Sequence, residues 1–286
     1  MLASSTIQLL RFHFSLFLMP VYWFALSQAE EINTGNAILV FIILHLLVYP
    51  SSNGYNSYMD RDTGSIGGIK NPQAPTRQLF YVTIAMDILA LLLGLFISSW
   101  FTAGVLAFIL ASRAYSYRGI RLKKYPVTGY LTVIIFQGGL VYWMVSHGCS
   151  SGKIFTQSWS AMLGASLLIG AFYPLTQIYQ HRQDKEDGVL SISAWLGYRG
   201  TFVFSALVFT LSMISLGWYF GNNFELDIFL LMQLFLLPAL VYFFRWMAKV
   251  FKNTAAADYK NTMTMNLIGS ACCNAAFLFI LITKSF

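Results

Sequence analysis

Charge is scarce in this sequence: only 10% of its 286 residues are Asp, Glu, Lys or Arg, against about 25% in soluble domains. That excludes a soluble protein built on one core. Cysteine is scarcer still. Cys149, Cys272 and Cys273 are the only three; their number is odd, they lack metal-ligand spacing, and the adjacent pair sits in an apolar stretch where small residues favour helix packing. A disulfide scaffold drops out, and the three read as structural. Hydrophobic residues make up 57% of the chain, so disorder and collagen drop out too.

These residues fall in repeated stretches of about 20, each long enough to cross roughly 30 Å of hydrocarbon as a helix. The pattern predicts an all-α polytopic membrane protein with nine transmembrane helices, near residues 9–27, 37–56, 79–97, 100–117, 127–147, 159–180, 201–220, 227–247 and 265–283. The first stretch ends in Ser27-Gln28-Ala29, which has some look of a signal-peptide cleavage site. Its apolar run is too long for one, and Pro20, Tyr22 and Trp23 suit the interfacial end of a retained span.

With nine spans, sixteen of the eighteen Lys and Arg fall on the side bearing the N-terminus, leaving Lys153 and Lys284 on the other. The positive-inside rule makes the basic side cytoplasmic, in a multi-pass protein of the cell (cytoplasmic) membrane. The net charge of +7 therefore reports topology. Nucleic acid, which would need a basic patch on a soluble module, is excluded as a partner.

An internal repeat carries the polar chemistry. Tyr49 to Gly64 (YPSSNGYNSYMDRDTG) and Tyr173 to Gly188 (YPLTQIYQHRQDKEDG) lie 124 positions apart and agree, identically or in chemical type, at ten of sixteen positions. This reads as a duplication within a single 1–286 domain: two related four-helix halves, about 9–120 and 127–247, plus the final span 265–283. Asn53, Asn56 and Asp60 in one copy, and Gln177, Gln180 and Asp184 in the other, recur at offsets of three and four and so share a helix face. Amides facing lipid are costly. The two stripes are expected to converge on one interior cavity with Asp60 and Asp184 at its mouth. Facing carboxylates need a cation between them, and hard oxygen donors in small number suit Mg2+ that also binds phosphate oxygens. Arg113, Arg118, Arg121, Lys123 and Lys124 crowd the same membrane face. They can neutralise a diphosphate or act as topology determinants against lipid headgroups, the reading preferred for Arg118 and Lys124.

At these residues the chain resembles the UbiA superfamily of membrane prenyltransferases over nearly its whole length. N-S-Y-M-D-R-D-T-G keeps Asn56 and Asp60 of the first family motif, N-D-x-x-D-x-x-x-D; Gln180 to Asp184 stands at the second, D-x-x-x-D; and Y-S-Y-R-G-I-R-L-K is similar to the family's Y-S-x-x-L-K-L-K, mapping Tyr115, Arg121 and Lys123. Three family carboxylates are absent, replaced by Ser57, Gly64 and Gln180, while Asp62, Glu186 and Asp187 add charge nearby.

The resemblance implies a UbiA-like bundle and Mg-assisted transfer of an isoprenoid chain from a prenyl diphosphate to an aromatic, quinone-precursor or other lipophilic acceptor. Asp60, Asp184, Arg121 and Lys123 would carry catalysis. Asn56, Asp60, Asp62 and Asp184 would hold the metal. Asn53, Asn56, Gln177, Gln180, Tyr115, Tyr55 and Tyr179 would bind substrate, the tyrosine rings shielding an allylic cation. His181 and Asp187 are candidates for the acceptor's base. The missing carboxylates motivate an alternative, a UbiA-fold lipid- or isoprenoid-binding or carrier protein without catalysis. Two ionisable residues fall inside spans: His45, which shares the face of Tyr49, Ser52 and Asn56 and is expected at the cavity or bonded to a neighbouring helix, and Asp87, for which the sequence offers no partner.

Overall fold

The computed structural model describes residues 2–285, and among them every regular element is helical. Two short helices, α1 (Ser4–Leu10) and α2 (Met19–Ser27), are joined through a 3-10 segment, Phe12–Phe17. Eight longer helices follow: α3 (Thr34–Asp60), α4 (Arg77–Gly94), α5 (Ser99–Ser116), α6 (Pro126–Cys149), α7 (Trp159–Glu186), α8 (Ile192–Asn222), α9 (Leu226–Lys252) and α10 (Tyr259–Ser285). Seven described helices are long and apolar enough to span a bilayer, or eight if the bent pair Ser4–Phe17 and Met19–Ser27 makes one span. The remaining expected span, 100–117, coincides with α5, which has 18 residues but is less apolar than the others, its last turns carrying Ser112, Arg113 and Ser116. Leu92, Phe96, Trp100, Leu207, Trp218 and Leu234 stand exposed on the outer faces, as side chains against hydrocarbon do.

The helices that build the polar end are not regular. The ladder of α3 widens to π geometry over Ile42–Val48, just ahead of Pro50, which has no N–H to give. The ladder of α6 widens likewise over Ile135–Leu140. Inside that turn Gly138 presses onto α7: a Cβ there would come within 2.4 Å of the Ser166 Cα and 2.8 Å of its N. Backbone cannot yield as a side-chain tip can. Gly138→Ala should therefore cost roughly 1–3 kcal/mol of stability, read as a lower melting temperature in detergent; an unchanged melting temperature would mean that the two helices separate freely.

Away from the acidic end the bundle is closed by aromatics. Phe24 stacks on Phe277 at 4.9 Å and meets Tyr142 at 5.0 Å. His45 belongs to this buried layer, with 1% exposure. It stacks on Phe41, meets Tyr22 and Tyr49 edge to face, and its Nδ1 lies 2.5 Å from the Ser15 hydroxyl. Of its two expected settings, the bond to a neighbouring helix is the one found.

Asp87 does have a partner. Arg113 of α5 reaches it with Nη2 and with Nε at 3.1 Å, Ser51 of α3 donates to Asp87 Oδ1 at 2.6 Å, and Arg113 Nη2 donates to Ser51 Oγ at 3.0 Å. The Arg113 guanidinium also lies 3.9 Å from the centre of the Tyr55 ring. One buried ion pair thus ties three helices together next to the polar end of α3.

Candidate active site

The two acidic helix ends meet. Asn56, Asp60 and Asp62 at the end of α3 and just past it, and Gln177, Gln180, Gln183, Asp184 and Asp187 at the end of α7 and just past it, line one cavity of about 130 Å³, with Tyr115 from the last turn of α5 and Lys123 from the α5–α6 connection. Each end is shaped by local chemistry. At α3, Arg61 takes the left-handed conformation (φ 55°) that stops the helix. The free carbonyls of Met59 and Asp60 accept from Arg118 at 2.8 and 3.3 Å, so Arg118 caps a helix rather than only setting topology. At α7, Pro174 precedes a tightening to 3-10 geometry at Ile178–Gln180.

The loop after α3 roofs the cavity. Ile66 and Ile69 bury themselves against Leu9 and Leu10 of α1, which brings Ile66 and Gly67 over the opening. Gln183 Nε2 donates to Asp62 Oδ1 at 2.6 Å, and Gln180 Nε2 donates to the Ser65 carbonyl at 3.4 Å. Both bonds join the α3 side to the α7 side.

Cations face the carboxylates at contact distance. Lys123 Nζ pairs with Asp60, whose side chain is 5% exposed. Arg121 pairs with Asp187 and stands 3.6 Å from Asp60 Oδ1. Arg11 enters where α1 breaks, at a left-handed residue (φ 49°), and its Nη2 donates to the Asn53 carbonyl at 3.2 Å. Arg11 is buried and lines the cavity. Burial, and then the charge of Asp60, push the Asp62 carboxyl up to about 6, against the opposing pull of Lys123 and Arg11.

Three donor types therefore surround one space: carboxylates, amides and fixed cations. No three His, Cys, Asp or Glu side chains among the described residues form a ready-made cage for a metal ion. The donor set fits a hard cation held by one or two carboxylates and shared with phosphate oxygens, which is how Mg2+ is usually bound.

Tyr115 and Tyr179 line this cavity as expected. Tyr55 does not: it is buried against Phe80 and under Arg113, on the far face of α3. The spacing already held that signal, because at about 100° per residue Tyr55 lies opposite the stripe of Asn53, Asn56 and Asp60. Asn53 lines an adjoining, deeper cavity. His181 bonds Ser193 at 2.7 Å and stacks on Tyr198 outside the cavity lining, and Asp187 is tied to Arg121, so neither candidate base is free. Sequence reasoning missed Arg11, Gln183 and Tyr173. The last stood in the repeat as the partner of Tyr49, but Tyr49 is buried in the core while the Tyr173 hydroxyl bonds Tyr115 and accepts from Gln177 Nε2 at 2.8 Å.

An apolar groove leaves this space. Phe14, Tyr173 and Thr176 line both, and from them Phe17, Leu18, Val21, Leu168, Ile169 and Phe172 continue between α2, α7 and α10.

The profile of the UbiA prenyltransferase family matches residues 17–268. Among solved structures, a UbiA homolog from Archaeoglobus fulgidus bound to DMAPP and Mg2+ is similar at 19% identity and TM-score 0.76, covering 98% of this chain and 99% of that one. The apo structure of a UbiA homolog from Aeropyrum pernix K1 is similar at 15% identity and TM-score 0.70, covering 94% and 98%. A digeranylgeranylglyceryl phosphate synthase is similar at 17% identity and TM-score 0.61, covering 98% and 97%. No curated protein matches the sequence.

Proposed function

The chain belongs to the UbiA prenyltransferase family, and from that premise we propose that it transfers an isoprenoid chain from a prenyl diphosphate to a lipophilic acceptor in the membrane. The observation that carries this is the shape of the site: a cavity lined by acids and cations, opening into an apolar groove. A diphosphate with a hydrocarbon tail has the same two-part chemistry. The acidic end faces the cytoplasm, on the strength of the basic-residue bias.

Asn56, Asp60, Asp62 and Asp184 would hold Mg2+ together with the donor, where the metal supplies charge neutralisation of the diphosphate. Lys123, Arg121 and Arg11 surround the same space and stabilise the leaving group as the C–O bond breaks and its electron pair departs with diphosphate. The allylic cation left behind is flanked by the rings of Tyr115 and Tyr179. Phe17, Leu18, Ile169 and Phe172 take the tail and keep water from it. The acceptor's nucleophilic atom then bonds to the cation, and the proton it displaces passes to the released diphosphate.

The test is diphosphate release and product mass from the full-length protein in lipid nanodiscs, with a panel of prenyl diphosphates and a membrane lipid extract, with and without Mg2+. Mg-dependent release with a prenylated product is expected. Arg11→Met should lower kcat/KM for the donor by about 10²-fold, because it removes a buried cation from the cavity. A second reading, donor binding without chemistry, is favoured by one observation: Lys123 and Arg121 already neutralise Asp60 and Asp187. Donor binding with no release for any donor would establish it in place of the transferase.

A further inference from the structure

A second cavity of about 120 Å³ lies behind the first, sharing Arg11, Asn56, Tyr115 and Tyr173 with it. Unlike the apolar groove, it sets hydroxyls and amides beside the apolar walls of Phe108, Val133 and Phe136. Ser52 and Ser112 line it with their hydroxyls bonded to each other at 2.6 Å, and Asn56 Nδ2 donates to Ser116 at 3.0 Å. Two side-chain amides in its wall have no hydrogen-bond partner among the described residues: Asn53, which Arg11 meets at its backbone carbonyl, and Gln137.

The position of Gln137 is unusual. It lies eleven residues into α6, about 16 Å from the start of the helix at Pro126, inside the π turn Ile135–Leu140. Such turns recur at functional sites. The side chain is half-buried in the cavity wall, so its amide is open to a polar group that enters this space.

Hydrocarbon meets it badly. A tail gains nothing from amides and hydroxyls, and the apolar groove offers it a better place. Gln137 and Tyr173 stand on the rim of that groove as well, so a head group in the polar cavity would lie beside the donor's tail. The side chains lining the polar cavity include one cation, Arg11, which already faces Asp60 and Asp62. A carboxylate there would lose its water for neutral donors and a shared guanidinium.

We propose that this cavity is the acceptor site and that it selects an uncharged head bearing hydroxyl or carbonyl groups, held by the amides of Gln137 and Asn53. The assignment of the occupant as an acceptor rests on the transferase reading above; the binding preference does not need turnover.

The experiment measures equilibrium binding of 1-naphthol and 1-hydroxy-2-naphthoate to the full-length protein in nanodiscs, taken above binding to empty nanodiscs. The wild type should bind 1-naphthol at least tenfold tighter than the carboxylate. Gln137→Leu and Asn53→Leu should each weaken 1-naphthol about tenfold, the size of one lost buried hydrogen bond, and Gln137→Asn should recover part of it. In transfer assays Gln137→Leu should raise KM for the acceptor about tenfold, and by more than it changes KM for the donor. Equal or tighter binding of the carboxylate, or wild-type binding by Gln137→Leu with its fold intact by melting temperature, overturns the proposal. Gln137-dependent binding of 1-naphthol with no donor turnover overturns the transferase reading and leaves the pocket's preference standing.

Discussion

Asp60→Asn should lower Mg-dependent turnover of a prenyl diphosphate by about 10²–10³-fold, and Asp184→Asn by a comparable factor. Asparagine keeps the shape of Asp60 and removes its charge. At that position the side chain is 5% exposed and stands between Lys123 and Arg121, so Lys123 loses its counter-charge and Arg121 is left with Asp187 alone. A second expectation follows, of opposite sign. Without Mg2+, inorganic diphosphate should bind Asp60→Asn at least as tightly as it binds the wild type, since Lys123 is then free to meet it while Arg121 stays paired with Asp187. Loss of turnover with preserved diphosphate binding distinguishes a removed metal ligand from a collapsed site. Because Asp60 and Asp184 would serve one metal-bound diphosphate, the double variant should fall little further than either single one. Turnover within threefold of the wild type in both single variants would remove these carboxylates from the chemistry.

Breaking the buried pair of Asp87 and Arg113 should be the most destabilising change outside the site. Their side chains are 10% and 16% exposed, and Ser51 holds the pair against α3. Asp87→Leu leaves a guanidinium without its carboxylate, and Arg113→Met leaves a carboxylate without its cation. Each should cost about 3–5 kcal/mol. The double variant should regain most of that loss, because two apolar side chains of similar volume leave no buried charge behind. Equilibrium unfolding in mixed micelles measures all three, and the cycle isolates the pair. Losses below about 1 kcal/mol in both single variants would show the pair to be solvated and the three helices to be held otherwise.

Much of the site was legible because helical spacing is local physics. Offsets of three and four placed Asn56 with Asp60, and Gln180 with Asp184, and the structure brings both sets to one cavity. The same rule, carried one residue further, places Tyr55 on the opposite face. Arg11 was not legible. Its route into the cavity depends on a left-handed residue between α1 and a 3-10 segment, and no spacing rule marks where a helix breaks. Gln137 was hidden for a related reason, since a π turn alters the register on which face assignments rest.

Asp87 and His45 show a different limit. Both stood out as ionisable residues in apolar spans, but a partner on another helix has no fixed offset in sequence. Arg113 is 26 residues from Asp87, and Ser15 is 30 from His45. Hydrocarbon chains and neighbouring helices are equally apolar, so composition does not say which one a face meets.

A membrane setting, a helical class and two polar stripes could all be read from the residues in order, because long apolar runs and helical periodicity act within a segment. Which stripe residues meet, which cation answers which carboxylate, and where the two kinds of cavity adjoin emerge on packing. Those depend on breaks in helical geometry and on contacts between residues far apart in the chain, and their energies exist only once the bundle has packed.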